Sequence, residues 1–279
     1  MKTVEDIILS SDQRGISSLR KYLHRDFCTK AALTVLDNPG TAIIVTGFYI
    51  RSAGYIETDG PPGAIAIGCA LIKLGYRVVY VTDQYGIAAL EKIADPNTMV
   101  YEFPILDFQS SNILASNICN KFDPSIVIAV ERCGVNELGE YSNMHGQDIT
   151  QHTAKIDCLF QNKIKSVGIG DGGNEIGMGN LFTQVKKNSK LVRSPTIVKV
   201  NELIISSVSN WGAYGLVTAI SLIKNQNLLV SVEKEKEIIY ALVGLGVVDG
   251  MSGKAECFVD GFDLDSNSKI LQDLHSLLN

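Results

Sequence analysis

The sequence predicts a three-layer α/β fold, Rossmann-like, with a mostly parallel sheet and helices on both faces. Three observations point to it. Short β-branched runs recur along the chain, they are apolar nearly throughout rather than alternating, and helix-length segments separate them. Strands covered on both faces read as continuous apolar runs, and parallel neighbours need crossover connections of this length.

Taken in order, residues 1–40 read as a helical N-terminal extension, because DIILSSDQRGISSLRKYL carries apolar residues at helical spacing. TAIIVTGF (41–48) and YRVVYVTD (76–83) are the first two strands. GAIAIGCALIKLG (63–75) between them is apolar nearly all round, which predicts a helix packed on the sheet and ended by Gly75. MVYEFPI (99–105), SIVIAVER (125–132), KSVGIGD (165–171) and ELIISSVS (202–209) are further strands, with helices expected at 85–94, 110–122, 150–161 and 213–225. KEKEIIYALVGLG then predicts a last helix leading to an edge strand, ECFVDGF (256–262). No linker, repeat or low-complexity tract divides residues 1–279, so one α/β domain is expected.

The totals exclude several function classes. Hydrophobic residues make up 46% of the 279, with only 7 Pro, which fits a globular chain with a full core. A net charge of −5 argues against nucleic acid, which needs a basic face. The six cysteines form no C-x-x-C pair, so buried reduced thiols and a cytoplasmic location are expected. There is no apolar leader and no 18-residue apolar span, so no membrane is expected either. Self-association into a homo-oligomer is allowed.

Ligands of such folds lie beyond the carboxyl ends of the strands. Four loops there are long, polar or glycine-rich: YIRSAGYIETDGPPG (49–63), ERCGVNELGEYSNMHGQDI after the fourth strand, DGGNEIGMGN from Asp171, and NWGAYG from Asn210. Connections in α/β units usually run about 2–6 residues, so these loops do more than turn the chain. VGIGDGGNEIGMGN (167–180) holds six glycines, two carboxylates and two asparagines. Gly172 and Gly173 let a backbone approach a ligand closely, and a helix starting near Asn174 would favour an anion. Asp171 and Glu175 oppose an unassisted phosphate. With Asn174 they instead offer three hard oxygen donors, suited to a divalent cation such as Mg or Ca. A plain Asp/Asn turn uses the same letters.

GDGGNE also resembles the magnesium-binding motif of haloacid-dehalogenase phosphatases. A metal-dependent phosphatase needs an aspartate nucleophile after its first strand, and VTGFYIR has none; the single D-x-D is Asp263-Leu264-Asp265. The loop TGFYIRSAG lacks the G-x-G-x-x-G turn of a dinucleotide site. Asp83, at the end of the second strand, reads as a cap for the next helix. Glu57, Thr58, Asp59 and Gly60 are held at the rim by Pro61 and Pro62. Glu131 and Arg132 end a strand at the same rim, where Arg132 either pairs with Glu131 or takes a substrate carboxylate, with Arg51 a second such group. His145 and His152 show no zinc spacing and read as surface or capping residues.

These motifs in order resemble the D-glutamate cyclase family, in its C-terminal domain. The matching stretches are ETDGPPGA (57–64), VERCG (130–134) with YSNMHG (141–146), GIGDGGNEIGMGN (168–180), SNWGAYGL (209–216), VDGMSG (248–253) and FVDG (258–261). The resemblance implies conversion of D-glutamate to 5-oxo-D-proline and water without ATP, on a small acidic amino-acid substrate. It implies Glu131, Asp171 or Glu175 as the catalytic carboxylates. Arg51, Thr58, Asp59, Gly60, Arg132, Gly172, Gly173, Asn174, Asn210 and Trp211 are the expected substrate contacts, and Asp171, Asn174 and Glu175 the residues for a cation if one binds. A binding module that senses an acidic metabolite without turning it over is the alternative.

Overall fold

The computed structural model describes residues 2–161 and 163–278. In chain order the elements are helix α1 (Val4–Ile8), a 3₁₀ turn (Ile16–Tyr22), α2 (Phe27–Leu36), strand β1 (Thr41–Thr46), the hairpin β2 (Tyr49–Ile50) and β3 (Tyr55–Ile56), α3 (Pro61–Lys73), β4 (Arg77–Thr82), α4 (Ile87–Ile93), β5 (Met99–Glu102), α5 (Phe108–Phe122), β6 (Pro124–Val130), two 3₁₀ turns, β7 (Lys165–Gly170), α6 (Phe182–Lys187), β8 (Glu202–Ile205), α7 (Ser209–Lys224), α8 (Val232–Gly244), the hairpin β9 (Phe258–Val259) and β10 (Phe262–Asp263), and α9 (Leu264–His275).

Six strands form one parallel sheet in the order β5-β4-β1-β6-β7-β8. The chain winds outward one way from β1, then returns to β6 on its other side. The switch point, between β1 and β6, is where such a sheet leaves a crevice at its carboxyl end. The central strands alternate their side chains between two separate cores. Ile44, Ile128 and Ile169 face the larger one with α2, α3 and α7, whereas Ile43, Val81 and Val127 face the smaller one with α5. Apolar residues on both faces make the strand runs continuous in the sequence.

The N-terminal segment is helical, but it is part of the main core: Ile8, Cys28 and Val35 are fully covered and Phe27 is buried. Three expectations change. Residues 150–161 form two 3₁₀ turns, Thr150–His152 and Ile156–Gln161, because Ala154 between them satisfies its backbone outside any helix. Its carbonyl accepts from Arg132 at 2.9 Å and its N–H donates to Asp83 at 3.5 Å. ECFVDGF is not an edge of the sheet. Asp260 and Gly261, at φ 51° and 79°, turn it into a hairpin of its own. The third is α9, which the sequence reading omitted although Ile270, Leu271 and Leu274 bury one of its faces.

Candidate active site

Beyond the carboxyl ends of β1, β6 and β7 lies a cavity of about 260 Å³. The 48–52 segment, Glu57, Glu131, residues 143–147, Gly172, Asn174 and Glu175 form most of its wall. Three of the four long loops therefore converge as expected. The fourth does not line it; Gly250, Met251, Ser252 and Asp260 close that side, and Arg14 enters from the N-terminal segment.

The loop after β7 folds differently from the expected helix start. No helix begins at Asn174; the next regular element is a 3₁₀ turn from Met178. Glu175 instead bends back so that its two carboxylate oxygens accept the N–H groups of Gly172 and Gly173 at 2.8 and 2.7 Å. Those donors, free in an anion cradle, are taken by the protein's own carboxylate. Gly168 and Gly170 permit this return, since a Cβ built at Gly168 would lie 2.4 Å from the Ile176 carbonyl oxygen. Asn174 donates from its amide to the Ser142 carbonyl at 2.8 Å, tying this loop to the one after β6.

Glu131 stands at φ 45°, a left-handed conformation rare outside glycine and frequent at functional sites. Its carboxylate accepts from the Ser209 hydroxyl at 2.6 Å and faces the cavity. Asp171 is fully buried and paired with Arg14 at 2.5 Å, while the same guanidinium reaches Asp260 at 2.9 Å. The second oxygens of Asp171 and Asp260 are buried without partners among the described residues. Glu57 lines the cavity and accepts no hydrogen bond from the described residues, its backbone being held to Phe48 and Val248.

This concentration of acid reshapes the titration of the groups. Burial pushes Glu57, Glu131 and Asp171 well above the usual carboxylate range; Asp260 adds to it for Glu57 and Glu175 for Glu131, while Arg14 opposes it for Asp171. Burial, then Asp260, lifts Asp59 to about 8, against the pull of its backbone donors. Carboxylates this close need protons or cations between them. Two sets, Asp59–Asp171–Asp260 and Glu131–Asp171–Glu175, each bring one oxygen per residue within 4.8 Å of the others. Such oxygen sets, with the orphaned atoms of Asp171 and Asp260 beside them, fit a hard divalent cation.

Several expected contacts turn out to build the wall rather than face the cavity. Asp59 accepts from the Ser209 and Asn210 N–H groups, and Asn210 accepts from those of Gly60 and Gly63. Thr58 bonds through its hydroxyl to the Phe258 carbonyl. Trp211 is buried, its indole N–H on Asn267 and its ring against Phe262. Gly173 lies behind the loop, against Val185 and Val192. Arg132 is the clearest correction. Its guanidinium is 2.7 Å from Asp83 and donates to the carbonyls of Gly47 and Ala154, so it is withdrawn from any substrate carboxylate. Asp83 thereby serves as an ion-pair partner as well as holding the Tyr85 N–H.

Of the expected residues, Arg51, Glu131, Gly172, Asn174 and Glu175 line the cavity, and Asp171 stands directly behind Arg14. His145 also lines it, whereas His152 stacks on Tyr49 and bonds to Tyr85. The D-x-D of the phosphatase reading lies elsewhere: Asp263 caps α9 through Ser266 and Asp265 is solvent-exposed. Sequence reasoning missed Arg14 and Asp260 as site residues, and placed Glu57 only at the rim.

Known proteins resemble this chain over nearly its whole length. A family model described as "D-glutamate cyclase-like, C-terminal" matches residues 4–275. The chain is also 29% identical over 321 residues to "D-glutamate cyclase, mitochondrial" of Homo sapiens, an alignment covering 98% of this chain and 51% of that protein. The chain thus spans about half the length of this relative. No helix among the described residues is long and apolar enough to cross a membrane. With the motifs, the fold and a match over nearly its whole length, this chain belongs to the D-glutamate cyclase-like, C-terminal family.

Proposed function

We propose that this chain is a lyase that closes D-glutamate into 5-oxo-D-proline with release of water and without ATP. The observation that carries the reading is the cavity at the switch point, where Glu131 is held in a strained conformation within an acidic wall. The reaction forms one N–C bond and breaks one C–O bond. The ammonium gives up two protons, and the departing γ-oxygen receives two and leaves as water. Glu131 takes the first proton and so frees the amine lone pair; burial keeps its basicity high enough for that task. A positioned carboxyl of this kind contributes roughly 10²–10⁴-fold. Confinement brings the amine onto its own γ-carbon, converting an extended chain into a near-ring conformer. A divalent cation on the carboxylates around Asp171 would offset the charge of the γ-carboxylate.

The test is direct. Purified protein should convert D-glutamate and leave L-glutamate unchanged by chiral chromatography, and Asp171→Asn and Glu175→Gln should each abolish turnover. Full turnover in both variants would remove the assignment. The chain's coverage of about half of the human relative gives weight to a second reading, a module that binds an acidic metabolite without converting it. Thermal stabilisation by glutamate or 5-oxoproline with no product formed would favour that reading.

A further inference from the structure

The site as described has acid in excess and one question outstanding: what receives the carboxylates of an acidic ligand. Arg132, which the sequence offers for this, is buried and paired with Asp83. Among the described residues of the cavity wall, two arginines and no lysine are found: Arg14 and Arg51. They differ in depth. Arg51 is exposed on the turn between β2 and β3, at the mouth, whereas the Arg14 side chain is 18% exposed and sits at the inner end between Asp171 and Asp260.

Arg14 is placed with care. Asp12 accepts the backbone N–H groups of Arg14, Gly15, Ile16 and Ser17, fixing the turn from which the side chain departs. A guanidinium carries five N–H donors. Nη1 reaches Asp171, Nη2 reaches Asp260, and Nη2 also meets the Met251 sulfur at 3.7 Å, a weak acceptor. Donors are thus left over on a group that faces the cavity. Elsewhere the wall offers Glu57, Glu131, Glu175 and Asp260, which repel a ligand carboxylate strongly at such range, beside Asn143, His145, Gln147 and Asn174, which carry no fixed positive charge. The wall therefore sorts the ligand: ammonium toward the carboxylates, carboxylates toward the two arginines.

We infer that Arg14 anchors the inner carboxylate of a dicarboxylic ligand and Arg51 the outer one, so that this pair sets the preference for dicarboxylates. The inference rests on the reading that the cavity takes an acidic amino acid, and it adds a specificity-determining residue from the N-terminal segment. Arg14 is suited to the role because its planar fork can serve Asp171 and Asp260 and still present N–H groups to a third carboxylate.

The test measures binding to the full chain by titration calorimetry, with and without magnesium. The probes are glutarate, which has two carboxylates, and its monoamide, which has one; neither carries an ammonium. Wild-type protein should prefer glutarate, and Arg14→Gln should lower that preference by about tenfold or more. Arg14→Lys keeps the charge that Asp171 and Asp260 need but lacks the fork, so it should remain folded by circular dichroism and still lose most of the preference. Arg51→Gln should lose it in part. An unchanged glutarate-to-monoamide ratio in folded Arg14→Lys would overturn the inference, as would a wild-type protein that binds no dicarboxylate. Loss of the preference in protein that forms no 5-oxoproline would uphold this inference while the cyclase reading fails. Wild-type turnover with an unchanged ratio would do the reverse.

Discussion

Asp59 and Asn210 cap each other's helices. The Asp59 carboxylate accepts the Ser209 and Asn210 N–H groups at 2.8 and 2.7 Å at the start of α7. The Asn210 amide oxygen accepts those of Gly60 and Gly63 at 2.9 and 2.8 Å at the start of α3. The first turn of a helix leaves N–H groups without internal partners, and here each helix supplies the other's acceptor. The site wall is thereby locked to α3 and α7, two helices of the larger core. Asn210→Ala strands the Gly63 N–H in a buried place, leaves the Gly60 N–H only its bond to Asp59 at 3.0 Å, and removes the donor to the Thr58 carbonyl. It should lower stability by about 2–3 kcal/mol in denaturant unfolding. A loss near zero would mean that the reciprocal caps are dispensable.

The glycine-rich loop makes a second prediction. Gly168→Ala would set a Cβ 2.4 Å from the Ile176 carbonyl oxygen and 2.9 Å from the Gly177 Cα, both backbone atoms that cannot rotate away. Overpacking of this kind costs roughly 3 kcal/mol. The variant should unfold at lower denaturant and release Glu175 from the Gly172 and Gly173 amides. A wild-type unfolding midpoint would contradict the close approach.

What the sequence made legible follows from where each residue's role is decided. The strands could be read because burial on both faces removes polar residues from them, and the loops because their length exceeds what a turn needs. Arg132 could not be placed, because adjacent residues at a strand end point to opposite sides: Glu131 faces the cavity and Arg132 turns away from it to Asp83. Arg14 carried no local signal at all. It reaches Asp171 across 157 positions of chain, through the packing of the N-terminal segment on the core. Asp59 and Asn210 were expected as substrate contacts, and nothing local distinguishes a helix cap from a ligand contact.

Glu235 gives the chain a pH-dependent stability away from the cavity. Burial in α8 lifts its carboxyl from the ordinary 4.5 to about 7, with the adjacent Tyr214 hydroxyl pulling the other way. The folded protein therefore holds a proton that the unfolded chain releases first. The stabilisation is complete below about 4.5 and is lost as pH rises through about 7, a change of roughly 3 kcal/mol. Glu235→Gln mimics the protonated form and should flatten that part of the profile. Denaturant unfolding at about pH 5 and about pH 8 checks it; parallel losses in both proteins would refute it.

A cation on the carboxylates around Asp171 should appear as linkage. At about a hundredfold excess over its dissociation constant, a ligand of the folded state stabilises by about 2.7 kcal/mol. Magnesium or calcium should therefore raise the melting temperature of wild-type protein, a chelator should reverse it, and Asp171→Asn should respond to neither. Indifference of the wild type to both treatments would leave protons, rather than a metal, to separate these carboxylates.

Glu57 and Gly250 supply the last test, because here stability and activity should separate. A Cβ built at Gly250 would lie 1.7 Å from the Glu57 Oε2. The obstacle is the far end of a flexible side chain with no hydrogen bond to hold it, so the carboxyl yields and the backbone stays. Gly250→Ala should remain folded with a stability change under about 1 kcal/mol. It should nonetheless lose most turnover, because Glu57 is driven into the space that the ligand needs. Gly244, the last residue of α8, has nothing within 4 Å of its own built Cβ and is the matched control. Gly244→Ala should keep full turnover and gain roughly 0.5–1 kcal/mol from helix propensity. Equal turnover in the two variants would show that the position of the Glu57 carboxyl does not matter to the chemistry.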